Sequence, residues 1–210
     1  MRITKYGHSC LLVEEGDARI LFDPGVYSVV PDLDKLDAIL LTHTHQDHIA
    51  IPTLKKLVEM NPRARIFGNS EVVGLLAKED IEVDRLEAGE QAVVQNVIIE
   101  GVGSDHAIIH SSIPRIKNTG YLIANSFLYP GDALTVPNSR IKVLALPVVA
   151  PWMKMSETID YLLAMRAPIV FPVHDAIVAP NNPYHKTAEN KAKEAGSQWV
   201  VLENGVAHEF

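Results

Sequence analysis

The sequence predicts an α/β protein in which two β-sheets pack face to face and helices cover their outer surfaces. Short apolar runs rich in β-branched residues dominate the first part of the chain and are typical of strands. Strands and amphipathic helical segments then alternate in both halves, which favours sheets layered with helices. The run Ala38–Leu41 is apolar at every position, so we expect a strand that is buried on both faces.

The size and composition of the chain indicate one globular domain. It has 210 residues, of which 47% are hydrophobic and 21% are charged. These values allow a substantial core, and the sequence has no low-complexity segment, linker or repeat, so we expect a single domain over residues 1–210. The formal net charge of −7 argues against an extended nucleic-acid partner and favours a small-molecule substrate.

The start of the chain and its cysteine content favour a cytoplasmic protein. Met1–Lys5 is typical of a strand rather than of a signal peptide. The single cysteine, Cys10, has no partner for an internal disulfide and lies in an apolar run, where we expect a buried thiol. No apolar run approaches the roughly 20 residues of a transmembrane helix, so we expect no membrane partner. Assembly into a homo-oligomer is left open.

The first half of the chain is predicted to begin with a hairpin. Cys10–Val13 and Ala18–Phe22 are apolar runs that flank a polar turn. Pro52 suits the first turn of a helix that extends to about Met60. The other predicted elements here are the strands Ala38–Leu41 and Ala64–Phe67, a helix from a Ser70 N-cap to about Lys78, and a short extended segment Ile81–Val83.

The second half is predicted to continue the alternation of strands and helices. Asn204-Gly205 favours a tight hairpin turn, here between Trp199–Leu202 and Val206–Phe210. Gly196 suits the end of the helix before it. The other predicted elements are strands at Gln91–Val102 (one bent strand or two), Tyr121–Tyr129, Lys142–Leu146 and Pro168–Val173, and helices from a Ser156 cap to Ala164 and at Lys186–Ala195.

The segment His43–His48 has the pattern H-x-H-x-D-H and follows the buried third strand directly. This is a dense group of metal-binding side chains for a chain with nine histidines, and imidazole and carboxylate together suit a transition metal. His43 and His45 point the same way in extended backbone, so both can bind one ion. Asp47 and His48 are adjacent and diverge, so they more naturally serve a second ion.

The H-x-H-x-D-H pattern resembles the signature of the metallo-β-lactamase-fold hydrolases, and the resemblance covers the whole chain. It implies a four-layered αββα sandwich. The segment Gly7-His8-Ser9 resembles the corresponding segment of the small cytoplasmic hydrolases related to ascorbate-6-phosphate lactonase. This partial resemblance does not imply that the chain has the same substrate. The other family elements occur in the expected order, each after an apolar run, at Asp23, His106, Asp132 and His174.

The resemblance implies two divalent metal ions. Five histidines favour zinc, and two aspartates also allow manganese or iron. A hydroxide bound by both ions would cleave an ester, lactone, amide or phosphoester bond in a small molecule, with Asp47 and Asp132 as catalytic carboxylates. The alternatives are a non-catalytic metal- or ligand-binding protein on the same scaffold, or a nuclease or phosphodiesterase acting on short nucleic acids. The implied ligands are His43, His45 and His106 for one ion, Asp47, His48 and His174 for the other, and Asp132 as the bridge.

Further polar residues are expected to support the metal ligands or to contact the substrate. Asp23 is expected to orient a ligating imidazole. His8 lies either near the metals or in a solvent-facing turn. His110, which is also the rival of His106 as a ligand, and His185 are either substrate-binding groups or exposed residues. Lys154, in a loop with Trp152, either attracts an anionic substrate at the pocket mouth or is simply exposed.

Overall fold

The computed structural model describes residues 1–179 and 182–210, which form fourteen strands and four α-helices. The strands are β1 (Arg2–Lys5), β2 (Leu11–Glu15), β3 (Ala18–Phe22), β4 (Ala38–Leu41), β5 (Arg65–Gly68), β6 (Asp84–Arg85), β7 (Gln91–Val94), β8 (Val97–Val102), β9 (Gly120–Ile123), β10 (Phe127–Tyr129), β11 (Val143–Pro147), β12 (Ile169–Val173), β13 (Gln198–Trp199) and β14 (Ala207–Glu209). The helices are α1 (Ile51–Met60), α2 (Ser70–Leu76), α3 (Met155–Met165) and α4 (Pro183–Glu194), and a 3₁₀ turn spans Ala77–Glu79.

The strands form two seven-stranded sheets of mixed direction. The first has the spatial order β14-β1-β2-β3-β4-β5-β6, and the second has the order β13-β12-β11-β10-β9-β8-β7. In the first sheet, β3 to β6 run parallel to one another. In the second, β10 to β13 are parallel, and β8 shares their direction because β8 and β10 are both antiparallel to β9.

The main apolar core lies between the two sheets, and each outer face is covered by helices. Phe22, Tyr121 and Phe171 belong to the core between the sheets. Leu54 of α1 packs with the outward side chains of the first sheet, and Leu162 of α3 packs with those of the second. Helices α2 and α4 contribute to the same two outer clusters. The predicted four-layered αββα sandwich is therefore confirmed.

Strand β4 shows why a run that is apolar at every position belongs in this fold. Successive side chains of a strand point to opposite faces. Ala38 and Leu40 join the core between the sheets, whereas Ile39 and Leu41 pack beneath the helices. Each fully buried leucine contributes about 1.5–3 kcal/mol through its apolar surface. The strand predicted at Ala38–Leu41 is confirmed with these bounds.

Several helix boundaries differ from the prediction. The N-cap of α2 is Asn69, whose Oδ1 accepts the backbone N–H groups of the next turn, and not Ser70. Asparagine and serine cap helices about equally well, so the sequence does not distinguish two such neighbours. Helix α3 begins at Met155, which places Ser156 inside it. Helix α4 begins earlier than predicted, after the cap Asn182.

Two strand predictions are also wrong in detail. Tyr121–Tyr129 contains two strands, β9 and β10, because Ala124 and Asn125 adopt left-handed conformations that fold the chain into a tight turn. Gln91–Val102 likewise divides into β7 and β8, one of the two alternatives considered. Ile81–Val83 is not a strand, and β6 follows it at Asp84–Arg85.

The predicted hairpin at the C-terminal end is wrong. Strand β13 pairs in parallel with β12 in the second sheet, whereas β14 pairs antiparallel with β1 in the first. A turn is present at Asn204-Gly205, where the Val206 N–H donates to the Glu203 carbonyl at 3.1 Å. This turn lies in the segment that leads from β13 in the second sheet to β14 in the first. The two short strands pair with β12 and β1, whose outer edges would otherwise be unpaired.

The carboxyl ends of the parallel strands meet at one edge of the sandwich, and hydrogen bonds join the sheets there. The Thr119 N–H donates to the Thr42 carbonyl, and the Tyr121 hydroxyl donates to the Leu41 carbonyl, both at 2.9 Å. Open α/β-type sheets commonly place functional groups at such strand ends. Within residues 1–179 and 182–210, no helix combines the length and the apolar character needed to cross a membrane.

Candidate metal centre

The side chains predicted to bind metal follow the strands that end at this edge. They lie in segments that the two different sheets bring together. Asp23 follows β3, the segment His43–His48 follows β4, His106 follows β8, Asp132 follows β10 and His174 follows β12.

The first cluster consists of His43, His45, His106 and Asp132, each of which offers one ligand atom. These atoms all lie within 4.8 Å of one another. His43 Nε2 is 3.1 Å from His45 Nδ1, and His106 Nε2 is 3.4 Å from Asp132 Oδ2. Ligand atoms around a tetrahedral zinc ion at roughly 2.0–2.1 Å are about 3.3 Å apart, so the first cluster has the spacing of a metal site.

The second cluster consists of His8, Asp47, His48 and His174, whose candidate ligand atoms also lie within 4.8 Å of one another. Asp47 Oδ2 is 3.6 Å from His174 Nε2 and 3.5 Å from His8 Nε2. His8 has no exposed surface, so it lies at the centre and not in a solvent-facing turn.

Asp132 contacts both clusters. Its Oδ1 lies 3.1 Å from His48 Nε2, and its Oδ2 lies 3.1 Å from His174 Nε2 and 3.4 Å from His106 Nε2. The side chain is almost completely buried. This is the position that a carboxylate bridging two ions would occupy.

The backbone and an indole fix the orientation of Asp132. Its N–H donates to Asn118 Oδ1, and its Oδ2 accepts the indole N–H of Trp152, both at 2.9 Å. Gly131 has a φ of +64°, and a Cβ there would lie 2.4 Å from Asn118 Oδ1. Only glycine fits this left-handed, crowded position before the carboxylate.

Three histidines are oriented by hydrogen bonds from Nδ1, the ring nitrogen that faces away from the clusters. Each Nδ1 lies against a carboxylate or carbonyl oxygen and therefore donates, which leaves the lone pair on Nε2 to face inward. The pairs are His48 Nδ1 with Asp23 Oδ2 at 2.7 Å, His106 Nδ1 with the Ala107 carbonyl at 2.6 Å, and His174 Nδ1 with the Val149 carbonyl at 2.7 Å.

Asp23 makes hydrogen bonds that reach candidate ligands of both clusters, and its role in orienting bound ligands stays a prediction. Besides His48, its carboxylate accepts the backbone N–H and the hydroxyl of Thr42 and the hydroxyl of Tyr129, at 2.7–2.8 Å. Because the Thr42 hydroxyl donates to Asp23, its oxygen is free to accept the Nδ1–H of His43 at 3.0 Å. Asp23 thus fixes His48 directly and His43 through one hydroxyl.

The inward-facing atoms test whether these residues fit a metal. His48 Nε2, His106 Nε2, His174 Nε2 and Asp132 Oδ1 are buried and have no hydrogen-bond partner among the described residues. A buried polar atom without a partner costs about 1–3 kcal/mol, so several of them converging at one place would be unfavourable in a purely structural role. Divalent cations would satisfy these nitrogen and oxygen atoms together, so the donor set fits them.

The electrostatics keep the carboxylates charged and one key imidazole neutral. Burial alone would raise the pKa of Asp132, but His48 and His174 outweigh it and hold this pKa well below its usual range. Asp132 in turn raises the pKa of both rings against the effect of burial, so their Nε2 atoms carry protons that a bound metal would replace. Burial would likewise raise the pKa of Asp47, yet the nearby His8 and His48 lower it to about 2. Burial, reinforced by His48, lowers the pKa of His43 well below its usual value, so this ring offers a lone pair.

Three residues expected near the substrate lie outside both clusters. His110 is exposed and bonds to the Ser112 hydroxyl at 2.8 Å. His185 lies 3.1 Å from Asp175 Oδ2. Lys154 is exposed and precedes helix α3. Their roles toward a substrate stay predictions.

The structure also reveals supporting residues that sequence reasoning missed. In the sequence Trp152 was only the loop neighbour of Lys154, and its hydrogen bond to Asp132 was not predicted. Thr42 stands directly beside the histidine pattern, and its hydroxyl lies 3.0 Å from His43 Nδ1, so its position next to the pattern was the one available signal. Tyr129 and Asn118 carried none, since they reach the centre through pairing with distant parts of the chain.

The fold and the two clusters define a metal-dependent hydrolase of the metallo-β-lactamase fold. Residues 2–174 match the family model described as the Beta-lactamase superfamily domain. The chain belongs to this superfamily.

The chain is also similar to individual proteins. Protein Rv0786c of Mycobacterium tuberculosis is 42% identical over 187 residues, which cover 86% of this chain and 87% of that protein. The UPF0173 metal-dependent hydrolase YtkL of Bacillus subtilis is 31% identical over 94 residues, covering 42% of this chain and 40% of YtkL. The structure of Igni18, a metallo hydrolase from Ignicoccus hospitalis, has a TM-score of 0.75 at 22% identity and covers 100% of this chain and 98% of that chain, which shows the shared fold.

Proposed function

We propose that this protein binds two divalent metal ions and hydrolyses an ester, lactone, amide or phosphoester bond in a small molecule. The observation that carries the proposal is the set of buried, unpartnered nitrogen and oxygen atoms that converge from both sheets. Atoms of this kind have no structural use in that arrangement, but they are the donors that a catalytic metal pair requires.

The two clusters divide the ligands between the ions. His43, His45 and His106 hold the first ion, and the second is held by Asp47, His48 and His174. Asp132 is shared, because its two oxygens face both clusters.

When bound, such ions supply an activated water nucleophile at neutral pH and polarise the bond to be cleaved. The residues of the chain prepare the site for this chemistry. Asp132 stays ionised, is held by the indole of Trp152, and is placed to orient a water molecule or accept its proton. Asp23 locks the rings of His48 and His43, so their nitrogens need no reorganisation on binding.

The donor set favours zinc. Five imidazoles suit zinc, while the carboxylates of Asp47 and Asp132 also accommodate manganese or iron. The lone cysteine, Cys10, is fully buried in the apolar cluster beneath the helices of the first sheet and does not belong to either cluster.

The surroundings of the centre favour a small substrate with an uncharged, partly apolar portion. The net charge of −7 disfavours polyanions. Two loops that lead from candidate ligand segments expose large apolar side chains, and pockets lined in this way bind apolar groups beside a few polar contacts. These side chains are Val26, Tyr27 and Val29 in one loop and Ile108 and Ile113 in the other.

The proposal is tested by metal analysis and a substrate panel on the same preparation. Chelator-treated protein is reloaded with Zn²⁺, Mn²⁺ or Fe²⁺ and assayed on ester, lactone, amide and phosphodiester substrates. We expect two ions per chain and turnover of at least one bond class that requires them. Stoichiometric metal without turnover across the panel would support a non-catalytic binding protein instead. Cleavage of short oligonucleotides alone would favour the nuclease alternative.

A further inference from the structure

His8 lies among the candidate ligands of the second cluster. It follows β1, is fully buried, and its ring centroid is 4.0 Å from that of His174. Its Nε2 is 3.5 Å from Asp47 Oδ2. By position alone His8 would be a further ligand to the second ion.

The hydrogen bond at the other ring nitrogen argues against that role. The backbone N–H of Ala176 donates to His8 Nδ1 at 3.2 Å. A backbone amide can only donate, so Nδ1 must present its lone pair, and the one proton of a neutral imidazole must then sit on Nε2. A nitrogen that carries a proton has no lone pair for a metal.

The proton of His8 is therefore on the opposite ring nitrogen from the proton of the neighbouring histidines. In His48, His106 and His174, Nδ1 faces an oxygen acceptor, so the proton is on Nδ1 and Nε2 is free to bind a metal. In His8 the proton is on the inward-facing nitrogen. The same amide contact disfavours the doubly protonated ring, because a proton on Nδ1 would meet the Ala176 N–H.

We propose that His8 is a positioning residue and not a metal ligand: its Nε2–H is directed at the carboxylate of Asp47 and holds that carboxylate in place for the second ion. This inference rests on the proposed two-metal function. His8 Nε2 is buried and makes no hydrogen bond among the described residues, and at 3.5 Å Asp47 Oδ2 is an acceptor within reach that must approach by a few tenths of an ångström to accept its proton. A ring that accepts a hydrogen bond at Nδ1 is polarised and donates more strongly from Nε2.

The structure holds the ring of His8 in this orientation from several sides. The His174 N–H donates to the His8 carbonyl at 2.9 Å, which ties the two segments together. Tyr27 packs edge-on against the ring, with 5.5 Å between the ring centroids. The segment that carries Ala176 is anchored by Asp175, whose Oδ1 accepts a hydrogen bond from the buried Lys5 at 2.6 Å.

Asp47 needs such support more than the other candidate ligands do. It is half-buried, whereas Asp132 is held by an indole and a side-chain amide. Its Oδ2 lies between His8 Nε2 and His174 Nε2, at 3.5 and 3.6 Å. If His174 binds the ion through Nε2, His8 is the remaining neighbour of that oxygen able to donate a proton.

Two variants of His8 distinguish a hydrogen-bond donor from a metal ligand at this position. In His8→Gln the side-chain amide replaces the Nε2–H donor but offers no imidazole nitrogen, whereas His8→Ala removes both. We expect the zinc affinity of the second site, measured by chelator competition, to fall about 10–100-fold in His8→Ala and to stay within a few-fold of wild type in His8→Gln. Equal losses in both variants would identify His8 as a ligand, and no loss in His8→Ala would remove the positioning role.

The ring itself provides a second, independent measurement. Long-range proton–nitrogen NMR spectra of the zinc-loaded protein, assigned by the signals lost in His8→Gln, report which nitrogen carries the proton. We expect Nε2 for His8 and Nδ1 for His48, His106 and His174. A proton on Nδ1 of His8 would overturn the inference. If the wild type fails to bind two ions, the proposed function fails instead, and the spectrum of the metal-free protein still tests the protonation of His8.

Discussion

At the scale of single residues, Asp132 is the side chain that the two clusters share. Replacing it with asparagine keeps its shape but removes the negative charge that faces three imidazoles. We expect Asp132→Asn to abolish hydrolysis and to lower the metal content after dialysis from two ions to one or fewer, because the bridge is lost. Elemental analysis of the dialysed protein measures this.

A neighbouring carboxylate supplies the control for that variant. Asp105 is exposed and lies in neither cluster. We expect Asp105→Asn to keep both ions. Two tightly held ions in Asp132→Asn would contradict the bridging assignment.

The choice between two nearby histidines gives a second prediction at this scale. His106 is 1% exposed and directs Nε2 at Asp132, whereas His110 is exposed and bonds to Ser112. We expect His106→Ala to lose metal from the first cluster and His110→Ala to keep it, as measured by the same analysis. The opposite result would mean that His110 is the ligand in solution.

Two residues of the centre occupy strained backbone conformations. Asp23 has a φ of +40° and His174 has a φ of +59°, in the left-handed region where residues other than glycine cost of order 1–3 kcal/mol. Both are held there by hydrogen bonds, since the Asp23 carboxylate accepts four and the His174 backbone N–H donates to His8. Strain at these two positions is consistent with selection for geometry at the centre.

At the scale of elements, the sequence predicted what depends on local pattern. Strand β4 was predicted with its observed bounds because a short run that is apolar at every position is typical of a strand buried on both faces. The histidine pattern marks its own location, and His106, Asp132 and His174 follow the ends of strands that the sequence also revealed. The order of the candidate ligands was therefore predictable.

What depends on distant pairing was not predictable. Strands β13 and β14 were assigned to one hairpin because Asn204-Gly205 is a strong local signal, but each pairs with a different sheet. The protonation of His8 depends on the amide of Ala176, 168 positions away, and no pattern near His8 indicates it.

Strand β1 also holds the second cluster through a buried lysine. Lys5 Nζ donates to Asp175 Oδ1 and to the Pro172 carbonyl, which links the first sheet to the segment that carries His174. Lys5→Met keeps the apolar stem but leaves Asp175 with His185 as its remaining partner. We expect a loss of about 1–3 kcal/mol in the free energy of unfolding, because the Pro172 carbonyl and Asp175 Oδ1 each lose a charge-assisted hydrogen bond. Chemical denaturation measures it.

A surface ion pair provides the matched control for this prediction. Lys55 and Glu79 lie 2.8 Å apart, but both are well exposed. Exposed pairs contribute little because solvent screens them, so Lys55→Met is expected to unfold like the wild type. Equal free energies of unfolding for Lys5→Met and Lys55→Met would show that the link between β1 and the His174 segment does not stabilise the fold.

At the scale of the whole molecule, each proposed metal site joins the two sheets. In the first cluster, His43 and His45 follow a strand of the first sheet, while His106 and Asp132 follow strands of the second. In the second cluster, His48 and His174 come from opposite sheets in the same way. Bound ions would therefore act as cross-links at the edge where the sandwich opens, and binding should be coupled to global stability.

This coupling predicts that metal removal lowers the thermal stability of the protein. A ligand that binds only the folded state at about 100 times its dissociation constant stabilises it by about 2.7 kcal/mol per site. For a chain of this size that corresponds to roughly 5–10 °C in Tm per site. We expect zinc to raise the Tm of the chelator-treated protein by at least this amount and a chelator to reverse it. Scanning calorimetry of the same sample in both states measures the shift.

Three variants show how much each cluster contributes to the increase in Tm caused by zinc. His106→Ala removes a first-cluster ligand and should retain only part of the increase in Tm, whereas Lys55→Met should show all of it. Asp132→Asn, which disturbs both clusters, should show the smallest increase. If zinc binds stoichiometrically to the wild type and leaves its Tm unchanged, then the ions do not fasten the two sheets, and the ligands must already be held as rigidly by Asp23, Thr42 and the strand ends alone.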